Sequence, residues 1–213
     1  PDYLAGRASL VDRRRAGLPA YGAPKPGGTV YLAAADANGM MVSFIQSNFM
    51  GFGSGVVVPG TGISLQNRGA GFTLAPGHVN EVAPGKRPFH TIIPGFAMQA
   101  DGTPLSAFGV MGGPMQAQGH AQMMLRRLAY GQNPQAAADA PRWRVIGGNK
   151  VAVETSFPPA LAEALRARGH DIVIEPPDAV FAFGGAQIIE RLPDGAGYVA
   201  GSDPRKDGQA VAF

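Results

Sequence analysis

The chain of 213 residues contains no cysteine. Disulfides, thiolate nucleophiles and cysteine-ligated metals are therefore excluded. Charge is also sparse. Asp, Glu, Lys and Arg make up 15% of the residues, against roughly 25% in an average soluble domain. The balance is mildly basic, +3 at pH 7. Apart from Arg13-Arg14-Arg15 and Lys86-Arg87 the basic residues are scattered, and no basic face interleaved with aromatics marks a nucleic-acid partner. No apolar run reaches the roughly 18 residues that span a bilayer, and no secretory signal pattern is visible; the compartment is left open. The histidines, His78, His90, His120 and His170, are not paired at metal-ligand spacing. There is no Gly-x-Ser-x-Gly elbow, and Gly51-Phe52-Gly53-Ser54-Gly55 lacks the Lys-[Ser/Thr] ending of a phosphate loop. Neither a metal nor an organic cofactor is implied.

Glycine and proline are abundant, 31 and 19 residues. They fall between periodic apolar segments, which describes many tight turns in a packed domain and not disorder. The pattern predicts a helix over 2–15 and a Pro/Gly-rich, cleavable linker over 17–28. Strands follow at Thr29–Ala35 and Met41–Gln46 around the Asn38-Gly39 hairpin signal. Residues 69–88 read as a long loop. Thr91–Met98 and Pro104–Val110 pair around Asp101-Gly102. A helix over Met115–Tyr130 would bury Met123, Met124, Leu125 and Leu128 on one face. A short helix over Pro134–Ala140, a strand at Val151–Val153 and a helix over Pro158–Arg168 closed by Gly169 come next. Strands at Ile172–Ile174, Ala186–Arg191 and Gly197–Gly201 finish the chain, the last two around Asp194-Gly195. So many hairpins with helices between them favour a layered α+β fold. The chain begins at Pro1 and not at Met, as a fragment or the later part of a longer precursor would.

Two stretches carry candidate chemistry. Thr29 follows Gly27-Gly28 at the start of a strand. Were the Gly28–Thr29 bond cut, the new α-amino group, with a reference pKa near 8, would stand beside the hydroxyl of the same residue. One residue would then supply both nucleophile and base. The glycines would permit the backbone geometry that such a cut needs. Taken alone, a threonine opening a strand is ordinary strand chemistry. The second stretch is Gly112-Gly113 ahead of a helix, where backbone N–H groups and the helix N-terminus favour a small anionic oxygen. Its plain alternative is a turn.

In order along the chain stand Gly28-Thr29-Val30-Tyr31, Asp36-Ala37-Asn38-Gly39, Ser43-Phe44-Ile45-Gln46-Ser47-Asn48, Gly51-Phe52-Gly53-Ser54-Gly55, and Pro59-Gly60-Thr61-Gly62-Ile63-Ser64-Leu65-Gln66-Asn67-Arg68-Gly69. Pro84-Gly85-Lys86-Arg87-Pro88, Gly109-Val110-Met111-Gly112-Gly113, Asp139-Ala140-Pro141-Arg142 and Gly201-Ser202-Asp203-Pro204-Arg205 follow. Together they resemble the γ-glutamyltransferase family of N-terminal nucleophile hydrolases, from about Tyr3 to Phe213. The resemblance implies a four-layer αββα sandwich, of which this chain holds the small-subunit half. Residues 1–28 would be the end of a large subunit and residues 29–213 the catalytic domain. It implies self-cleavage before Thr29, an acyl-enzyme on Thr29, support from Ser47, and an oxyanion site at the amides of Gly112 and Gly113. It also implies the large subunit of the same precursor as partner, and leaves room for a homo-oligomer of such heterodimers.

The departures from the family bear on substrate. Val30 and Tyr31 stand where Thr and His are usual. Phe49 replaces a donor-binding asparagine. Arg68, next to Asn67, and Gly71 correspond to the glutamine and aspartate that hold the γ-glutamyl ammonium. His90 and Thr91 correspond to the serine pair that binds its carboxylate. A site that has lost a carboxylate and gained a cation should reject an ammonium. The expected substrate is a small amide with a carboxylate and no ammonium, and Arg68 is the candidate partner of that carboxylate. Two other readings remain: a γ-glutamyltransferase or glutathione hydrolase, and an unprocessed, non-catalytic homologue.

Overall fold

The structure, a computed structural model, describes Ala5, Ser9 and residues 28–213. The helix expected over 2–15 and the linker over 17–28 lie outside the described residues, apart from those two residues and Gly28. In order, the elements are β1 (Thr29–Ala35), β2 (Met41–Ser47), β3 (Gly95–Met98), β4 (Pro104–Met111), α1 (Met115–Met124) and α2 (Pro134–Asp139). Then come β5 (Trp143–Gly147), β6 (Lys150–Val153), α3 (Pro159–Arg166), β7 (Asp171–Ile174), β8 (Gly185–Arg191) and β9 (Tyr198–Ser202). Short 3₁₀ turns stand at Arg68–Gly71, Pro177–Phe183 and Pro193–Gly195.

β1 and β2 form a hairpin with Thr29 opposite Ser47. The Asp36 carboxylate fixes its turn, accepting the N–H groups of Asn38 at 2.9 Å and Met40 at 3.0 Å, as Asx side chains do. The strands alternate in burial. Tyr31 faces inward, whereas Val30, 62% exposed, Leu32, Val42 and Phe44 face outward. The inward face lies on a four-stranded antiparallel sheet of order β3-β4-β8-β9. In β4 every residue from Ser106 to Met111 is buried, because both of its faces are covered. Phe108 and Val110 join Met123, Ala137, Ala138, Ala186 and Ile188 in a core under the helices α1 and α2. On the other face Tyr31 lies across Gly109, where a Cβ would meet its ring at 2.4 Å. The Tyr31 hydroxyl is 2.8 Å from that of Ser43, and Ser43 donates to the Phe108 carbonyl at 3.4 Å. The layering is therefore hairpin sheet, sheet, helices, with an apolar face of the hairpin turned outward. This is an α+β sandwich, as expected.

A second, smaller core holds β5-β6-β7 to α3 through Val151, Val153, Ala162 and Ile172. β6 and β7 are parallel, and α3 connects them. Gly169, at φ 92°, ends this helical stretch as expected.

Four expectations need correction. The strand expected at Thr91 begins only at Gly95, since Pro94 has no N–H to give a ladder. The long helix stops at Met124 and gives way to a π turn over Leu125–Ala129. That turn sends Arg127 to Glu190 at 2.8 Å and Arg126 to the Pro141 carbonyl at 2.9 Å. With these polar groups turned to the protein, Leu125 and Leu128 are 55% and 64% exposed. The final connection is the Pro193–Gly195 3₁₀ turn, not a two-residue hairpin. Strand β5 was not anticipated. Its outer edge is closed by two glutamines of α1. Gln118 accepts the Val145 N–H at 2.7 Å and donates to the Val145 carbonyl at 3.3 Å. Gln122, one helical turn on, pairs likewise with Trp143 at 3.2 and 2.8 Å.

The two sheets are joined by a buried ion network. Arg142 donates to Asp203 at 2.5 Å and Arg205 to Glu154 at 2.6 Å, with Arg205 also 3.0 Å from Asp203. Most of the remaining hydrogen-bonding groups are used, the buried Arg142 Nε being the exception. Asp203 accepts the Ala186 N–H, Glu154 that of Arg142, and the guanidinium groups donate to the carbonyls of Ala138, Ala140 and Phe183. Removing one partner strands the others without water. Asp203→Ala should cost about 3–5 kcal/mol in urea denaturation of the full-length protein, and a loss below about 1 kcal/mol would refute this account.

His120 gives a pH signature. Burial pushes its imidazole down from 6.5 to about 4. Between those values the unfolded chain holds a proton that the folded chain does not. The contribution is complete above pH 6.5, falls as pH drops toward 4 and levels off below. The Tm of the wild type should therefore fall more steeply over that interval than that of His120→Gln; parallel curves would count against it.

Candidate active site

Because β1 and β2 are in register from Thr29–Ser47 to Ala35–Met41, the first hydroxyl of one strand meets the last of the other. Thr29 Oγ1 donates to Ser47 Oγ at 2.8 Å. Ser47 Oγ also accepts the N–H of Phe49 at 2.9 Å. This second bond draws the chain into a tight bend. Phe49 sits at φ 77°, the one non-glycine residue with positive φ among the described residues, at a cost of about 1–3 kcal/mol. Strain of this kind persists where surrounding structure holds it. Here Asn67 does so, accepting the Met50 N–H at 3.0 Å and donating to the Met50 carbonyl at 3.4 Å. Asn67 thus shapes the bend and is spent on backbone.

Gly28 lies inside this bend. A Cβ there would be 3.2 Å from the Phe49 carbonyl oxygen and 3.3 Å from that of Gly51. The bond before Thr29 is therefore flanked by the strained turn, in a space that suits glycine.

Arg68 is only 8% exposed. Its guanidinium lies 5.3 Å from the centre of the Phe49 ring and donates to the Ser47 carbonyl at 3.4 Å. Burial lowers its pKa from the ordinary guanidinium value. Thr29, Ser47, Phe49, Asn67 and Arg68 thus form one connected group. Gly71 ends the 3₁₀ turn that starts at Arg68. A Cβ on Gly71 would stand 2.6 Å from the Phe89 carbonyl oxygen, so this backbone admits no side chain at that position. His90 is exposed, and its Nδ1 accepts the Ile92 N–H at 3.3 Å. Thr91 is half-buried. Among the described residues neither His90 nor Thr91 is hydrogen-bonded to Thr29, Ser47 or Arg68.

Gly112 and Gly113 follow β4 at φ 137° and 59°, values that favour glycine. Their carbonyls accept the N–H groups of Met115 and Gln116 at 3.2 and 3.0 Å. Among the described residues their own N–H groups donate to no acceptor, as a site for an anionic oxygen requires. Gly184 packs against them. A Cβ on Gly112 would be 2.9 Å from Gly184 Cα.

A cavity of about 390 Å³ runs along β1 from Thr29 and is lined by Met111, Gln187, Lys206 and the chain after it. Lys206 is its one basic lining residue, and burial lowers the lysine pKa, with Asp203 opposing this and Arg142 adding to it. Lys206, Gly184 and the Tyr31–Ser43 pair were missed in the sequence. Lys206 had no spacing signal, and the others act through packing that only the register reveals.

The family model described as gamma-glutamyltranspeptidase matches residues 1–213. The chain is 40% identical over 218 residues to the oxamate amidohydrolase proenzyme of Klebsiella pneumoniae, covering all of this chain and 40% of that protein. It is 38% identical over 203 residues to a glutathione hydrolase-like proenzyme of Bacillus subtilis, covering 92% of this chain and 38% of that one. Among solved structures, a cephalosporin acylase from Bacillus halodurans superposes with a TM-score of 0.80 at 56% identity, over 86% of this chain and 34% of that chain. A gamma-glutamyltranspeptidase from Pseudomonas nitroreducens superposes at 0.73 with 23% identity, over 86% of this chain and 98% of that one, which speaks to fold alone. The chain spans about two fifths of the length of the proenzymes it matches.

Docking of the hairpin onto β4 has a single-residue test. Gly109→Ala would drive a methyl group into the Tyr31 ring. It should destabilise the protein by about 1–3 kcal/mol, measured by urea denaturation. A change within about 0.5 kcal/mol would show that Tyr31 does not hold the hairpin down.

Proposed function

The chain belongs to the γ-glutamyltranspeptidase family, and from that premise we propose that it is the nucleophile-bearing part of a self-processing amide hydrolase. The observation that carries this reading is the Thr29–Ser47 hydrogen bond, 2.8 Å long, next to a peptide bond that the strained turn at Phe49 flanks. In the precursor, Thr29 Oγ1 adds to the Gly28 carbonyl carbon. The C–N bond breaks, the nitrogen takes the hydroxyl proton, and an ester joins Gly28 to Thr29. Water hydrolyses that ester and leaves a Gly28 carboxylate and a free Thr29 α-amine.

In turnover the α-amine accepts the Thr29 hydroxyl proton and Oγ1 attacks the substrate amide carbon. The N–H groups of Gly112 and Gly113 meet the oxyanion. The amide C–N bond breaks, the leaving amine takes the proton, and water releases the acyl group as a carboxylic acid. Ser47 keeps the nucleophile oriented.

For the substrate, the lack of room for a carboxylate side chain at Gly71 and the cation at Arg68 support a small amide that carries a carboxylate and no ammonium. Similarity to a proenzyme whose stated substrate is oxamate, an amide of this kind, points the same way. Arg68 is the proposed carboxylate partner, reached past the Phe49 ring. Similarity to the glutathione hydrolase-like proenzyme favours a second reading, a γ-glutamyl substrate. The partner is the remainder of the precursor, for which the exposed Val30, Leu32, Val42 and Phe44 face is a suitable contact.

Intact mass of the full-length product tests the chemistry. We expect a new N-terminus at Thr29, abolished by Thr29→Ala; an uncut wild type that takes no acyl group from a reactive ester would instead mark a non-catalytic homologue. Oxamate and a γ-glutamyl anilide then decide the substrate. Arg68→Ala should raise KM for a carboxylated amide by about 10-fold or more. Equal cleavage by wild type and variant would remove Arg68 from this role, and efficient anilide turnover would favour the second reading.

A further inference from the structure

Helix α1 packs closely on strand β4 at Val110. A Cβ on Gly119 would be 2.6 Å from Val110 Cγ1, so helix and strand are in backbone-close contact there. The next residue, His120, accepts the Val110 N–H at Nε2, 3.0 Å away. The strand needs this acceptor. β3 begins only at Gly95, opposite Phe108, so β4 has no strand neighbour on that side two residues further on. A buried N–H left unpaired is costly, and His120 supplies what β3 no longer does. The ring is wedged against Phe108, with centroids 5.2 Å apart and planes 58° from parallel.

Val110 stands two residues before Gly112. On its far side the turn is bounded by Gly184, where a Cβ would lie 2.4 Å from the Met111 carbonyl oxygen and 2.8 Å from Val110 Cγ1. The Gly112–Gly113 turn is thus bounded by packed backbone on one side and by α1 on the other, and His120 is the polar tie between α1 and the strand that feeds the turn.

We propose that His120 is a positioning residue for the Gly112–Gly113 turn: as acceptor of the Val110 N–H it holds the end of β4, and with it the two N–H groups that receive the oxyanion. The proposal rests on the reading of those amides given above. It requires the ring to carry its proton on Nδ1 and to stay neutral. Burial favours this, with no charged group contributing to the shift. The consequence is catalytic, because a displacement of about 1 Å in such a donor pair costs on the order of 100-fold in rate.

The test uses the full-length, processed protein and an activated ester, p-nitrophenyl acetate, so that no natural substrate is needed. Acylation of Thr29 is followed by p-nitrophenol release and intact mass. His120→Gln keeps an acceptor without the ring, and His120→Phe keeps the ring without the acceptor. We expect His120→Gln to acylate within about 3-fold of wild type and His120→Phe to be about 10–100-fold slower, with KM changed by less than about 2-fold. In ¹⁵N-histidine NMR of the wild type, Nε2 of His120 should be an unprotonated acceptor from pH 5 to 8. A His120→Phe protein that acylates as fast as wild type overturns the proposal, and so does a protonated Nε2. Should His120→Phe not fold, a loss in His120→Gln beyond about 10-fold overturns it as well. A wild type that takes no acyl group sinks the Thr29 reading and the proposal with it; an acylated wild type matched by His120→Phe sinks the proposal alone.

Discussion

The buried pairing of Arg142 and Arg205 with Asp203 and Glu154 is the constraint on which the rest depends. Each of these four residues comes from the end of an element. Arg142 precedes β5, Glu154 follows β6, and Asp203 and Arg205 follow β9. Neither sheet could be moved against the other without stranding a charge in the interior. The network also reaches the proposed oxyanion site. Arg142 holds the Phe183 carbonyl at 3.1 Å, the next residue is Gly184, and Gly184 packs against Gly112. A structural ion cluster and the proposed oxyanion site are thus two ends of one short chain of contacts.

The proposed nucleophile is held by a different and more local device. The hairpin register brings Thr29 to Ser47, Ser47 bends the chain at Phe49, and Asn67 keeps the bend. Backbone strain is stored beside the bond that the chemistry is proposed to cut. Strain of this kind is tolerated where the surroundings over-determine it. The cation–π contact of Arg68 with Phe49 also covers the bend from below.

Much of this was legible in the sequence, for identifiable reasons. Thr29, Ser47 and Gly112-Gly113 fall in local motifs, and the hairpin register places Thr29 opposite Ser47. β1, β2, β4 and β8 are apolar runs bounded by turn residues, and their periodicity is local. What was illegible depends on distant partners. The burial of Leu125 and Leu128 was misjudged because Arg126 and Arg127 took the protein side, drawn by Glu190 and Pro141. β5 was missed because its pairing partner on one edge is not a strand but two glutamine side chains. The hold of Asn67 on Met50 was illegible because its backbone partner stands 17 residues earlier. Lys206 and His120 were single residues without spacing, and their roles follow from which strand ends where.

The glutamine pair on α1 has a consequence for substitution. Gln118 and Gln122 each accept from one backbone N–H and donate to the carbonyl of the same residue, so each amide does what the next strand's peptide group would. Glutamate has the same shape but only accepts. At these two positions the nearest isostere would set a carboxylate against a carbonyl oxygen, two acceptors without a proton between them. A shorter apolar side chain would simply leave the β5 edge open to water. Similarity of size is therefore the wrong guide on this face of the helix; what matters is the ability to donate and accept a hydrogen bond at one place.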